Sequence, residues 1–162
     1  GVSSAASDVY KRQAAYSGER YDFGASAFNV DISMEDTVYK FDLESRLPHT
    51  LRADSKLNPL LGEQADSFFS TCFRATKRYY EKNPFDKFQH VFVLFTTFYE
   101  ENEFWVDPDN INYKPFIDAC VKNFFVIDDN SKYVSIISIS KQGRPHTEVF
   151  VASDISALVK YI

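Results

Sequence analysis

Apolar and polar positions alternate along this chain with periods that change from segment to segment, and each change predicts an element. Over residues 38–45, VYKFDLES, Val38, Lys40 and Asp42 alternate with Tyr39, Phe41 and Leu43, which predicts a half-buried strand. A loop with Pro48, Pro59 and Gly62 follows. Residues 63–82 then place Ala65, Phe68, Phe69, Cys72, Phe73, Thr76, Tyr79 and Tyr80 at helical spacing, and Asn83–Pro84 ends that helix. The run HVFVLFTTFYE (90–100) is apolar on both faces and rich in β-branched and aromatic residues, so it predicts a central strand.

The second half repeats the alternation of helix and strand. KPFIDACVKN (114–123) sets Phe116, Ala119 and Cys120 on one helical face, with Pro115 tolerated in the first turn and Asn123 suited to a left-handed end. KYVSIISISK (132–141) and TEVFVA (147–152) read as a hairpin around QGRP. Asp154 begins a short terminal helix. Residues 14–36 show no period and read as a loose leader. Residues 3–13, SSAASDVYKRQ, match the translation of a common transposon-based sequencing adapter, so residues 1–13 are expected to be non-native. The fold expected for 37–162 is a single α+β domain: a small mixed β-sheet of about four strands with two main helices.

Composition narrows the possible functions. The chain has 162 residues, 44% hydrophobic and 17% aromatic, which suits one compact domain and argues against disorder. No apolar run approaches the ~20 residues of a membrane helix, so a soluble, cytoplasmic protein is expected, with no membrane contact. Cys72 and Cys120 lie far apart without a C-x-x-C pattern and read as buried reduced thiols. His49, His90 and His146 are too scattered to suggest a zinc site. The net charge of −5 becomes −6 without residues 1–13 and weighs against nucleic acid, unless a local basic face and bound cations offset it.

The chemistry concentrates in two acidic runs, DPDNINYK (107–114) and VIDDNSK (126–132). Each alone is an ordinary turn or helix cap. Together they bracket one short helix, follow a buried strand, and place Lys114 beside them. If the strand continues, Asp107 and Asp109 share a face. Converging carboxylates repel unless a hard divalent cation sits among them, and Mg²⁺ takes a few carboxylates while keeping positions for water and phosphate oxygens. Aspartates, such an ion and one lysine make up a set for phosphodiester hydrolysis. No calcium-binding loop fits, because Asn112 stands where glycine is required. The chain has no phosphate loop of the G-x-x-x-x-G-K-[ST] type and no nucleophile elbow.

The stretch D-P-D-N…K-P-x-x-D…V-x-D-D-N-S resembles the RusA family of Holliday-junction resolvases, frequent in bacteriophages and prophages, from about Val91 to Val151. The resemblance implies a homodimer that binds four-way DNA junctions and nicks two strands with Mg²⁺ or Mn²⁺. It implies that Asp107, Asp109 and Asp129 are metal-binding catalytic acids and Lys114 their basic partner. Asn110, Asp118 and Asp128 would then orient them. Contacts to the DNA backbone are expected from Lys56, Arg74, Lys77, Arg78, Lys132, Lys141 and Arg144. Two features depart from the family: three residues separate Asn110 from Lys114 where two are typical, and Lys122–Asn123 replaces a glycine after the helix. Two other readings stay open, a DNA- or partner-binding relic and a globular protein whose acidic turns only cap.

Overall fold

The computed structural model describes residues 27–50 and 59–162. It is an α+β fold with a five-stranded mixed sheet. The strands are β1 (Val30–Glu35), β2 (Val38–Leu43), β3 (Val91–Tyr99), β4 (Val134–Gln142) and β5 (His146–Ala152). Helix α1 spans Pro59–Lys82 and α2 starts at Lys114–Phe116 and continues through Ile117–Phe125. A 3₁₀ helix, Ile155–Tyr161, closes the chain, begun by Asp154, whose carboxylate accepts from the Ser156 N–H.

The strand order is β1-β2-β5-β3-β4. The expected β4–β5 hairpin is therefore absent, although both strands exist. β3 lies between them, parallel to β4 and antiparallel to β5. Apolar flanks on both sides, Val93, Leu94 and Phe95 among them, make β3 a better neighbour for each than they are for one another. The short connection 143–145 must then cross the end of β3. Gly143 makes this possible by close approach: a Cβ there would meet Phe98 Cδ1 at 2.9 Å. Its N–H donates to the Tyr99 carbonyl at 2.8 Å, and Phe98 is itself held by stacking on buried His146, centroids 4.1 Å apart.

β1 lies inside the segment expected to be a loose leader, so that expectation fails for residues 30–35. Val30, Ile32 and Met34 do alternate with Asp31, Ser33 and Glu35, and Val30 and Ile32 pack on the core. The turn to β2 hides the hairpin, since Asp36 and Thr37, both at positive φ, stand where Asn-Gly would be the usual signal.

One face of the sheet carries the main core. Phe41, Val93, Phe95 and Val149 meet Phe68 and Cys72 of α1 and Phe116, Cys120 and Phe125 of α2. Cys72 and Cys120 are buried and free. Burial, then the hydrogen bond between the two thiols, pushes Cys72 well up, which keeps it protonated. The opposite face holds Val38, Leu94 and Phe150 under Leu158 of the final helix.

Asn123 does not end α2 in a left-handed conformation. Positive φ outside glycine occurs among the described residues only at Asp36 and Thr37. Its amide instead donates back to the carbonyls of Asp118 (2.9 Å) and Ala119 (3.0 Å), and the helix runs to Phe125 in wide turns. Such i→i−5 turns are rare and often accompany functional sites.

Gly143→Ala should cost about 1–3 kcal/mol through forced displacement of the Phe98 ring. The loss should appear as a lower urea midpoint at unchanged slope and be partly recovered by Phe98→Leu. An alanine variant as stable as the parent would show that the crossing has room to spare.

Candidate active site

β3 ends at Tyr99, eight residues before Asp107, so that aspartate does not follow directly on the strand. The intervening loop leads into a single 3₁₀ turn, Pro108–Asn110. Asp107 and Asp109 are exposed on this turn and do not share a strand face. Asp107 occupies the capping position yet makes no side-chain cap bond, so capping does not explain its carboxylate.

The residues between the turn and α2 are all used. The Asn110 carbonyl accepts from Thr50 N–H at 2.8 Å, and Asn112 N–H donates to the Pro48 carbonyl at 2.8 Å. Ile111 is buried in the core. Tyr113 packs on Phe95 and donates to Ser138 Oγ at 2.6 Å. Asn112 Oδ1 accepts from Lys114 N–H at 3.2 Å and so satisfies a donor at the start of α2. The three residues between Asn110 and Lys114 are thus accommodated by a buried side chain, a ring contact and a cap.

Beyond this point the two acidic runs meet. Lys114 Nζ lies 3.3 Å from Asp118 Oδ1, one helical turn on, and 3.7 Å from Asp129 Oδ2. Asp118 and Asp129 also lie close enough for their carboxyl groups to interact directly. Asp128 fixes the approach of its neighbour: its Oδ1 accepts from Asp129 N–H at 2.8 Å and its Oδ2 from the Asn130 amide at 3.0 Å. These two bonds make a local Asx-type turn around Asp128.

The electrostatics separate the two acids. Burial, then the hydrogen bond with Asp129, raises Asp118, while Lys114 opposes the rise. Burial also pushes Asp129 upward, but the Asp118 hydrogen bond, Lys122 and Lys114 together hold it below the usual carboxylate range. Partial desolvation works against the Lys114 charge, yet Asp118 and Asp129 outweigh it and hold the ammonium above its usual value. As pH falls, Asp118 therefore takes up its proton before Asp129 does, and Lys114 stays a cation. The cluster borders a groove of ≈ 220 Å³ between α1 and α2, lined by Asp66, Phe69, Asn112, Lys114 and Asp118 among others.

Among the described residues no three His, Cys, Asp or Glu side chains come together as a ready-made cation site. Asp118, expected to orient the site, is in direct contact with Lys114 and Asp129. Lys122 was not singled out by the motif; its spacing of four from Asp118, itself four from Lys114, was the available signal.

The expected backbone-binding cations do not form one surface. Lys56 lies outside the described residues. Arg74, Lys77 and Arg78 are exposed on α1, on one side of the sheet. Lys132 precedes β4, its ammonium 5.5 Å from the Tyr133 ring. Lys141, at the far end of β4, donates to the Tyr161 carbonyl at 3.2 Å and so belongs to the side covered by the final helix. Exposed Arg144 sits in the β4–β5 crossing.

Comparison with protein-family models, curated proteins and solved structures gives no match to this chain. Among the described residues no helix is long and apolar enough to cross a membrane.

Because the value of Asp118 is raised in the fold, its share of stability is present below the ordinary carboxylate range and lost as pH rises through the raised value. That of Asp129 is depressed, so its share is present above that range and lost as pH falls. Asp118→Asn removes the first dependence and weakens the second, because Asp118 helps to hold Asp129 low. Thermal melts should show the variant gaining on the parent from weakly acidic pH upward, with the gain vanishing in strong acid. A difference constant across pH would refute the assigned direction.

Proposed function

We propose that this protein is a metal-dependent, structure-selective endonuclease that nicks four-way (Holliday) DNA junctions by phosphodiester hydrolysis, in the manner of the RusA family. The observation that carries the reading is the contact of Lys114 with Asp118 and Asp129. Residues that the motif spaces along two loops and a helix meet in one charged cluster, beside an acidic turn that no capping role explains.

The donor chemistry suits a hard divalent ion. Two adjoining carboxylates with opposed proton affinities are a pair that Mg²⁺ or Mn²⁺ would relieve, and Mg²⁺ commonly takes only one or two carboxylates from protein. Asp129 would hold the ion, with Asp107 and Asp109 supplying further oxygens from the turn. When bound, the ion draws charge from the scissile phosphate. Lys114, kept protonated and 72% exposed, can donate to a phosphate oxygen. Asp118 orients both Lys114 and Asp129, and the Asp128 turn holds the backbone that presents Asp129. The same reading makes the protein a homodimer on branched DNA, encoded by a phage or prophage and acting in the cytoplasm of a bacterial host.

The three residues between Asn110 and Lys114, one more than the resemblance leads one to expect, favour a second reading, a junction-binding module with disabled catalysis. One assay distinguishes the two. The protein should nick a labelled four-way junction with Mg²⁺ or Mn²⁺, and Asp109→Asn or Asp129→Asn should slow nicking by about a hundredfold or more while leaving binding largely intact. Binding without nicking under any divalent ion would establish the second reading. An Asp109→Asn variant that cleaves at the parent rate would remove that residue from the site.

Backbone contacts release counterions, so junction affinity should fall steeply between low and moderate salt, with a log–log slope of about −0.9 per phosphate neutralised. A filter-binding series with no slope would exclude the basic side chains as the source of affinity.

A further inference from the structure

The loop between β3 and the acidic turn presents Phe104 to solvent at 81% exposure, more than any other large hydrophobic among the described residues. A single exposed apolar side chain needs no explanation on its own. Here both chain neighbours of the ring are tied down. Arg46 Nη1 holds Glu103 Oε1 at 2.7 Å, and the same oxygen accepts from Glu100 N–H at 2.6 Å. Trp105 stacks on Tyr99, centroids 5.5 Å and planes 21° apart, and donates its indole N–H to the Glu100 carbonyl at 3.1 Å. Arg46 also lies 5.0 Å from the Tyr99 ring centroid, which joins the two braces into one assembly. The braces on either side of Phe104 hold the loop, so the ring is displayed at a defined place, three residues before Asp107.

We infer that Phe104 is a stacking wedge for branched DNA: its ring enters the base stack at the branch point and holds the strand beside the acidic turn. This rests on the nuclease reading above. The charges around the ring select that mode of contact. Glu100 and Glu101 are exposed beside it and repel phosphates, so the ring cannot lie along a duplex backbone. A branch point differs from a duplex in offering open faces of base pairs away from the phosphates. Apolar side chains that insert between base steps unstack them, and the cost is offset by the contacts the distorted DNA then makes. A ring held by its neighbours loses little freedom on insertion, which favours this use.

The test uses the full chain and a four-way junction carrying 2-aminopurine at a position flanking the branch, with Ca²⁺ in place of Mg²⁺ for the binding measurement. Binding of the parent should raise 2-aminopurine emission severalfold as its neighbour unstacks. Phe104→Ala should abolish that rise and slow nicking about tenfold, with affinity changed by less than about threefold, and Phe104→Trp should restore both. The ring is exposed, so neither change should affect folding, and a melt checks this. If the parent nicks junctions and Phe104→Ala matches it in emission and rate, the wedge is wrong and the nuclease reading stands. A parent that neither binds nor nicks junctions overturns both. A Phe104→Ala variant that changes only the sedimentation of the free protein would make the ring a contact between copies, and that too overturns the wedge.

Discussion

Parallel pairing of β3 with β4 is the constraint on which the rest of this structure depends. Two parallel neighbours cannot be joined by a tight turn, because the chain must travel back the full length of the sheet before the second strand begins. Residues 100–133 make that return, and everything read here as chemistry lies on it: the braced loop, the 3₁₀ turn with Asp107 and Asp109, the start of α2 with Lys114 and Asp118, and the turn that delivers Asp129. The crossover is anchored at intervals by buried side chains, Ile111, Phe116, Ala119, Cys120 and Phe125. Between the anchors its polar residues are free to face outward. The same β3 also separates β4 from β5, which is why a glycine is needed where the chain crosses its end.

The charged cluster is a poor candidate for a stability device. Lys114 is largely in water, and an ion pair of that kind adds little to folding. Asp118 is held with a raised proton affinity, so its ionisation works against the fold near neutral pH. The cluster thus contributes little to stability while it holds one ammonium charged and moves two neighbouring acids in opposite directions. Its support comes from short-range geometry. A helical turn brings Asp118 to Lys114, and the Asp128 turn aims the backbone at Asp129.

Much of this was legible in the residues because it is local. The spacing of four between Lys114 and Asp118, the stop at Asn83–Pro84, the cap at Asp154 and the alternation in β2 depend on neighbours within one or two turns, and each appears where its pattern places it. β1 carried the same alternation but was hidden by an Asp-Thr turn with no glycine. Asn123 misled because its side chain found two carbonyls in its own helix, an alternative that spacing does not reveal.

By itself the sequence determined which segments would be helix or strand and which titratable groups could be near one another along a helix, since both follow from periodicity and covalent reach. Only the tertiary structure decided that β3 would lie between β4 and β5. It also decided that Lys141 and the α1 cations would fall on different sides of the sheet, and that Asp129 would meet Lys114 and Asp118. Those outcomes depend on which apolar faces bury against which. That choice is made by the whole core at once, so no single stretch of residues records it.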